Sequence, residues 1–166
     1  MDAEERLFIY WILACASMTI EVETVLPTWV NQYIGIPFAD KGSTYEKCSC
    51  YGLLRLVFRE QCGIELPDYE DAYDSIRNSQ AIAAAYDQHI DDRWRRVAQP
   101  EVLDAVHLRM KGLPLHVGVV VAPHTMLHIY EGVNSCVEKF NSAAWQKRVL
   151  GFYRYGNGDS CTGNRS

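Results

Sequence analysis

The sequence predicts an α+β domain in which a helix carrying a cysteine at its start packs on an antiparallel β-sheet. Three observations lead there. The run from Cys50 to about Cys62 has helical period and a serine in front of it. From Ala105 onward the period changes to short β-branched stretches separated by turn residues. The helical half precedes the strand half, the order of an α+β chain rather than of alternating βαβ units.

Taken along the chain, residues 4–17 predict a short apolar helix. Thr24 to Tyr33 predict another, with Pro27 tolerated in its first turn and Trp29 and Val30 as packing residues. Gly35 to Tyr45 is a loop, marked by Gly35, Pro37, Asp40, Gly42 and Ser43. Ser49 is the N-cap of the main helix, and Gly63 ends it. Cys50, Leu53, Leu54, Val57, Phe58 and Gln61 trace its buried face, and Arg55, Arg59 and Glu60 point elsewhere. Asp68 to Asp74 is acidic and irregular, and the Ala-rich stretch Asn78 to His89 is helical in pattern. Asp91 to Gln99, with Trp94, Arg95 and Arg96, is expected near the surface. Strands are expected at Ala105–Met110, His116–Val121, Met126–Tyr130, Cys136–Phe140 and Val149–Tyr155. Turns fall at Ala122–Thr125 and Gly132–Asn134, and a short helix at Ser142–Lys147.

With 166 residues and 48% apolar composition the chain is long enough to bury a core as one domain. The reading divides it into an N-terminal extension (1–17), a domain (18–155) and a flexible tail (156–166). Met18 is an alternative start. The net charge of −5, without a basic stripe, excludes sequence-independent nucleic-acid binding as the main task. The apolar run Leu7 to Ala14 is too short to span a bilayer. Ile12-Leu13-Ala14-Cys15 loosely resembles a lipoprotein cleavage box, but Met1 to Arg6 is net acidic where secretory leaders begin basic. Cysteines stand at 15, 48, 50, 62, 136 and 161. They form no pair of CxxC knuckles, so no structural zinc site is predicted, and mostly free thiols are expected.

Cys50, in the first turn of its helix, sees unpaired backbone N–H groups and the positive end of the helix dipole, both of which favour a thiolate. If the hairpin turn centres near Ala122 or Pro123, His116 and His128 share a face, directly opposite or diagonal, and one ring can orient the other. The residues alone leave open two unrelated sheet histidines. His124, at the turn, competes with His128 for the orienting role. Cys48 reads as loop packing rather than as a redox partner or metal ligand, Cys62 and Cys136 as core thiols, and His89 and His107 as surface or sheet residues. The charged run Asp91-Asp92-Arg93 is a solvated face, with Trp94 as a lesser candidate for a substrate groove.

The stretches Gly35-Ile36-Pro37-Phe38, Ser49-Cys50-Tyr51-Gly52-Leu53 and Gly63-Ile64-Glu65-Leu66-Pro67 resemble the NlpC-type family of cell-wall cysteine peptidases. So do His116-Val117-Gly118-Val119, His128 and Leu150-Gly151-Phe152-Tyr153-Arg154, and the likeness covers roughly residues 25–155. The aromatic after Cys50, the run Arg55-Leu56-Val57-Phe58 and the closing Gly151-Phe152-Tyr153-Arg154 are similar to the phage-tail and gene-transfer-agent branch. The resemblance implies a papain-like fold with Cys50 as nucleophile, His116 as general base, His128 as the orienting residue and the Cys50 backbone N–H in the oxyanion hole. The thiol chemistry needs no metal and no organic cofactor. Two positions depart from the family pattern: Ser49 replaces an aspartate before the nucleophile, and Phe38 replaces a tyrosine whose hydroxyl assists at the scissile carbonyl. Tyr51 is the candidate substitute donor, and Asp104 replaces the acidic residue of the family's strand entry and is expected to be structural.

The expected activity is hydrolysis of peptidoglycan stem peptides, commonly between D-glutamate and a diamino acid. Expected partners are phage-like tail-tip or baseplate hub proteins, with no nucleic acid and no membrane span. The expected location is a virion or phage-like tail tip assembled in the producing cell's cytoplasm, with a periplasmic or lipid-anchored protein as the alternative. Rival readings are a non-enzymatic tail-tip hub of the same fold and a related thiol amidase or acyltransferase.

Overall fold

The computed structural model describes residues 25–68 and 93–156. The expected helices at 4–17 and 78–89 and the tail beyond Gly156 lie outside the described residues. Helix α1 (Cys50–Val57) continues through a π-helical turn at Phe58–Cys62 and stops at Gly63, whose φ of +66° suits glycine. Thr28–Tyr33 forms a 3-10 helix rather than the longer helix expected from Thr24, with the Pro27 carbonyl accepting from the Val30 N–H at 3.0 Å.

Among the described residues six strands make one antiparallel sheet. They are β1 (Trp94–Val97), β2 (Ala105–Met110), β3 (Leu113–Ala122), β4 (Thr125–Tyr130), β5 (Val133–Lys139) and β6 (Val149–Tyr155), in the order β1-β6-β2-β3-β4-β5. Strands β2 and β6 have the expected bounds, and β3, β4 and β5 differ from expectation by a few residues at their ends. Strand β1 lies in the stretch 91–99 expected near the surface, and the described part, 93–99, is exposed or half-buried. Trp94 pairs with Tyr155 and packs on it at 4.9 Å and on Phe58 at 5.7 Å, while Arg95 and Arg96 face solvent. A four-residue strand with two arginines carries little period of its own, and its pairing partner lies at the far end of the chain. Residues 142–148 form consecutive turns in place of the expected helix.

The period-two alternation of β3 and β4 gives each face of the sheet its own core. On one face Leu53, Leu56 and Val57 of α1 pack on Val119, Leu127 and Ile129. On the other, Val106, Leu108, Val120 and Met126 meet Phe140 and Trp145. Full burial of each such side chain stabilises by about 1.5–3 kcal/mol, an upper figure for an extended unfolded chain. Asp104 is structural, as expected. Its buried carboxylate accepts from the Glu101 N–H and takes a two-pronged ion pair from Arg154 at 2.7 and 2.8 Å, fastening the entry of β2 to β6. Ser135 ties the 33–36 segment to edge strand β5: it accepts from the Ile36 N–H at 2.7 Å, and its backbone N–H donates to the Ile36 carbonyl.

Candidate active site

Ser49 is the N-cap of α1. Its Oγ accepts from the Gly52 N–H at 2.9 Å and its own N–H donates to the Gly42 carbonyl at 3.1 Å. Gly52 is required here, because a Cβ would lie 1.7 Å from the Gly42 oxygen. The cap and this close approach fix Cys50 as the first helical residue, half-buried. Its Sγ lies 4.0 Å from the carbonyl oxygen of Leu115, one residue before His116 on β3.

The hairpin between β3 and β4 turns at Pro123-His124, with Val119 opposite Leu127 and Val120 opposite Met126. Continued along the strands, that register sets Gly118 opposite His128 and His116 diagonal to it. A Cβ on Gly118 would lie 3.2 Å from the His128 Cβ, so the glycine makes the room that His128 occupies. The diagonal brings His116 Nε2 and His128 Nδ1 to 3.0 Å. On the far side, His128 Nε2 lies 2.8 Å from Glu138 Oε2, which also accepts from the Trp145 indole N–H at 2.8 Å. The Trp145 ring stacks on His116 and meets His128 edge-on, with centroids 5.8 and 4.9 Å away, and Tyr130 closes the same box.

This line has a direction. A carboxylate only accepts, so His128 Nε2 donates to Glu138, His128 Nδ1 accepts, and His116 Nε2 donates to it. Nδ1 of His116 is then left without a hydrogen, the state a base requires. Burial, reinforced by the neighbouring His128, His107 and Arg148, pushes the His116 imidazole down to about 3. Burial also lowers His128, and Glu138 opposes that. Both rings are therefore neutral near pH 7.

The sequence-selected residues thus meet in two groups. His116 and His128 are hydrogen-bonded on the face that carries Trp145, and Cys50 packs into the core on the helix side, reaching β3 at Leu115. Phe38 is half-buried against that same core, bridged to Cys48. The Tyr51 hydroxyl donates to the Pro67 carbonyl at 3.0 Å. His124 sits in the turn with φ +59° and its ring against Phe140. His107 is a buried sheet residue with Nε2 3.3 Å from the Pro114 oxygen. Cys48 is loop packing, as expected: it is buried, its thiol donates to the Thr44 carbonyl, and burial pushes it up to about 11. Cys62, expected as a core thiol, is instead disulfide-bonded.

Glu138 and Trp145 escaped the sequence reading. Glu138 could not be found from the turn: Glu131-Gly132 pairs Tyr130 with Val133, and only a register shift between Tyr130 and His128 sets Cys136 opposite His128, with Glu138 the next residue on that face. Trp145 lies in the irregular turns after β5, where no period points to it.

The model of the NlpC/P60 family matches residues 35–154. No curated protein sequence matches the chain. Solved structures do. An NLP/P60-family protein similar to a lipoprotein, from Staphylococcus aureus subsp. aureus Mu50, is 19% identical with a TM-score of 0.53, over 90% of this chain and 49% of that one. The NlpC/p60 domain of the peptidoglycan hydrolase SagA is 16% identical with a TM-score of 0.51, over 75% of this chain and 91% of that domain. An NlpC/P60-family protein from Bacillus cereus ATCC 10987 is 16% identical with a TM-score of 0.55, over 80% and 42%. The chain therefore spans about half the length of the first of these and less of the third. At these identities the likeness is one of fold: a helix on an antiparallel sheet, papain-like α+β. The match over 35–154, which takes in the helix-start cysteine and the paired strand histidines, makes this protein a member of the NlpC/P60 family.

Proposed function

We propose that this protein is a cysteine endopeptidase that hydrolyses peptidoglycan stem peptides at the bond between D-glutamate and the following diamino acid. The observation that carries the reading is the directed line Glu138–His128–His116 on the strand that Cys50 touches. Cys50 gives its thiol proton to His116 Nδ1, and the sulfur attacks the scissile carbonyl carbon. The Cys50 backbone N–H, in the first turn of α1, donates to the oxygen that becomes negative. His116 returns the proton to the leaving amine, and a thioester remains on Cys50. Water, losing a proton to His116, attacks the thioester and releases the carboxylate and the free thiol. His128 and Glu138 hold His116 in the tautomer that can accept. The Cys50 thiol lies 4.0 Å from the Leu115 carbonyl, one residue before His116.

We further propose that the activity serves wall penetration at the tip of a phage-like tail, next to tail-tip or baseplate hub proteins. The likeness of Arg55-Leu56-Val57-Phe58 and Gly151-Phe152-Tyr153-Arg154 to that branch supports it. Among the described residues no helix is long and apolar enough to cross a membrane.

Digestion of purified peptidoglycan by wild type and by Cys50→Ala, read by mass spectrometry, tests the activity. New termini at the D-glutamyl bond that vanish in the variant are expected. A second reading, a catalytically idle hub of the same fold, is favoured by two observations. Phe38 has no hydroxyl to offer an oxyanion, and the Tyr51 hydroxyl is engaged by Pro67. That reading predicts no fragments from either protein, and Cys50→Ala particles that still deliver DNA.

A further inference from the structure

We propose that His128, Cys136 and Glu138 form an inhibitory site for a zinc-class divalent cation. The consequence for activity rests on the peptidase reading above; the site itself does not. His128 on β4 stands directly opposite Cys136 on β5, and Glu138 is the next residue of β5 on that face. One donor atom from each lies within 4.8 Å of the other two. His128 Nε2 is 3.7 Å from Cys136 Sγ and 2.8 Å from Glu138 Oε2. A tetrahedral zinc with bonds of about 2.0–2.3 Å holds its ligand atoms roughly 3.3–3.6 Å apart. The nitrogen and sulfur already stand near that spacing, and the carboxylate has only to withdraw by about half an ångström to admit the ion.

The donor set selects the metal class. One imidazole, one thiol and one carboxylate suit zinc and disfavour magnesium or calcium, which take oxygen shells. Glu138 is 41% exposed, so the site opens to solvent and a water can complete the tetrahedron. Its outer contacts are in place: Trp145 donates to the carboxylate, and His116 meets Nδ1 of His128.

Occupancy reverses the hydrogen-bond line. With metal on Nε2, the single hydrogen of His128 moves to Nδ1 and is donated to His116 Nε2. The hydrogen of His116 then sits on Nδ1, where it cannot accept the Cys50 proton. Each imidazole keeps one hydrogen, and the Cys136 thiol releases one to solvent as it becomes a ligand. The metal silences the base without touching the nucleophile.

The test uses untagged full-length protein carrying Cys50→Ala, with and without Cys136→Ser, titrated with Zn2+ by calorimetry and with Co2+ by absorption. Tight zinc binding in the first protein, weakened at least about tenfold in the second, is expected, since even outer-shell losses cost that much. A thiolate-to-cobalt charge-transfer band present in the first and absent in the second is the matching signature. No zinc binding at micromolar concentration, or equal binding and an unchanged band in both, overturns the site. In the Cys50 protein, Zn2+ is expected to suppress wall hydrolysis, and Cys136→Ser to keep basal activity while losing that suppression. Binding through Cys136 without inhibition of an active enzyme overturns the tautomer argument. Binding through Cys136 in a protein with no hydrolase activity leaves the site standing and sinks the peptidase reading instead.

Discussion

Strand β3 presents Val117, Val119 and Val121 to the helix and His116, Gly118 and Val120 to the opposite side. The helix side is an apolar contact of aliphatic and aromatic side chains, with Leu56, Val57 and Phe58 wholly buried in it. The other side mixes an apolar cluster with two imidazoles and a carboxylate, boxed by Trp145 and Tyr130. The same strand, read at odd and even positions, serves packing on one face and proton placement on the other. Changes to the first should register as stability and changes to the second as rate, and Cys50 and Gly52 stand where the two meet.

Truncation of the orienting ring offers the sharpest separation. His128→Ala should lower kcat by about a hundred- to ten-thousandfold, because His116 loses the partner that fixes its tautomer. Wall hydrolysis followed alongside circular dichroism checks it; wild-type rates would remove His128 from the mechanism. On the helix side, Leu56→Ala should cost about 2–5 kcal/mol in urea unfolding, from lost burial and the cavity left behind. Should that variant instead lose activity at full stability, the division between the faces is false.

Gly52→Ala tests the seam. Its Cβ drives into the Gly42 carbonyl, so the 42–49 loop has to shift, costing about 1–3 kcal/mol and lowering kcat as well. A stability loss with kcat untouched would mean that the loop does not position Cys50. The smallest effect is expected of Glu138→Gln, which keeps the shape but no longer enforces the direction of the line. A fall of roughly tenfold in kcat with KM unchanged is expected, and an unfolding free energy within about 0.5 kcal/mol of wild type.

Much of this arrangement was legible from neighbours in sequence. Ser49 caps α1 and Gly63 ends it, as their types predict, and β2 and β6 have the bounds that period two gives them. The His116–His128 meeting needs more than the short turn: Pro123-His124 pairs Ala122 with Thr125, and the register shift between Val120 and Ala122 then brings the two histidines to one face. What the pattern did not reveal depends on distant chain. Strand β1 exists because Trp94 finds Tyr155, and Glu101 with Asp104 needs Arg154. The π-helical end of α1 and the disulfide of Cys62 leave no periodic trace. The same holds for the candidate cation ligands, which are no zinc motif by spacing and become neighbours only across the β4–β5 register.

Caps, turns and alternation are set by steric and hydrogen-bonding preferences within a few residues, so the sequence by itself determined the capped helix with its leading cysteine and the strands from Ala105 onward. Which side chains stand behind those histidines, which strand closes the sheet edge and which face the helix covers were decided only in the tertiary structure. Each depends on closing loops of tens of residues into one register, a cost repaid by burial summed over the whole sheet rather than by any local preference.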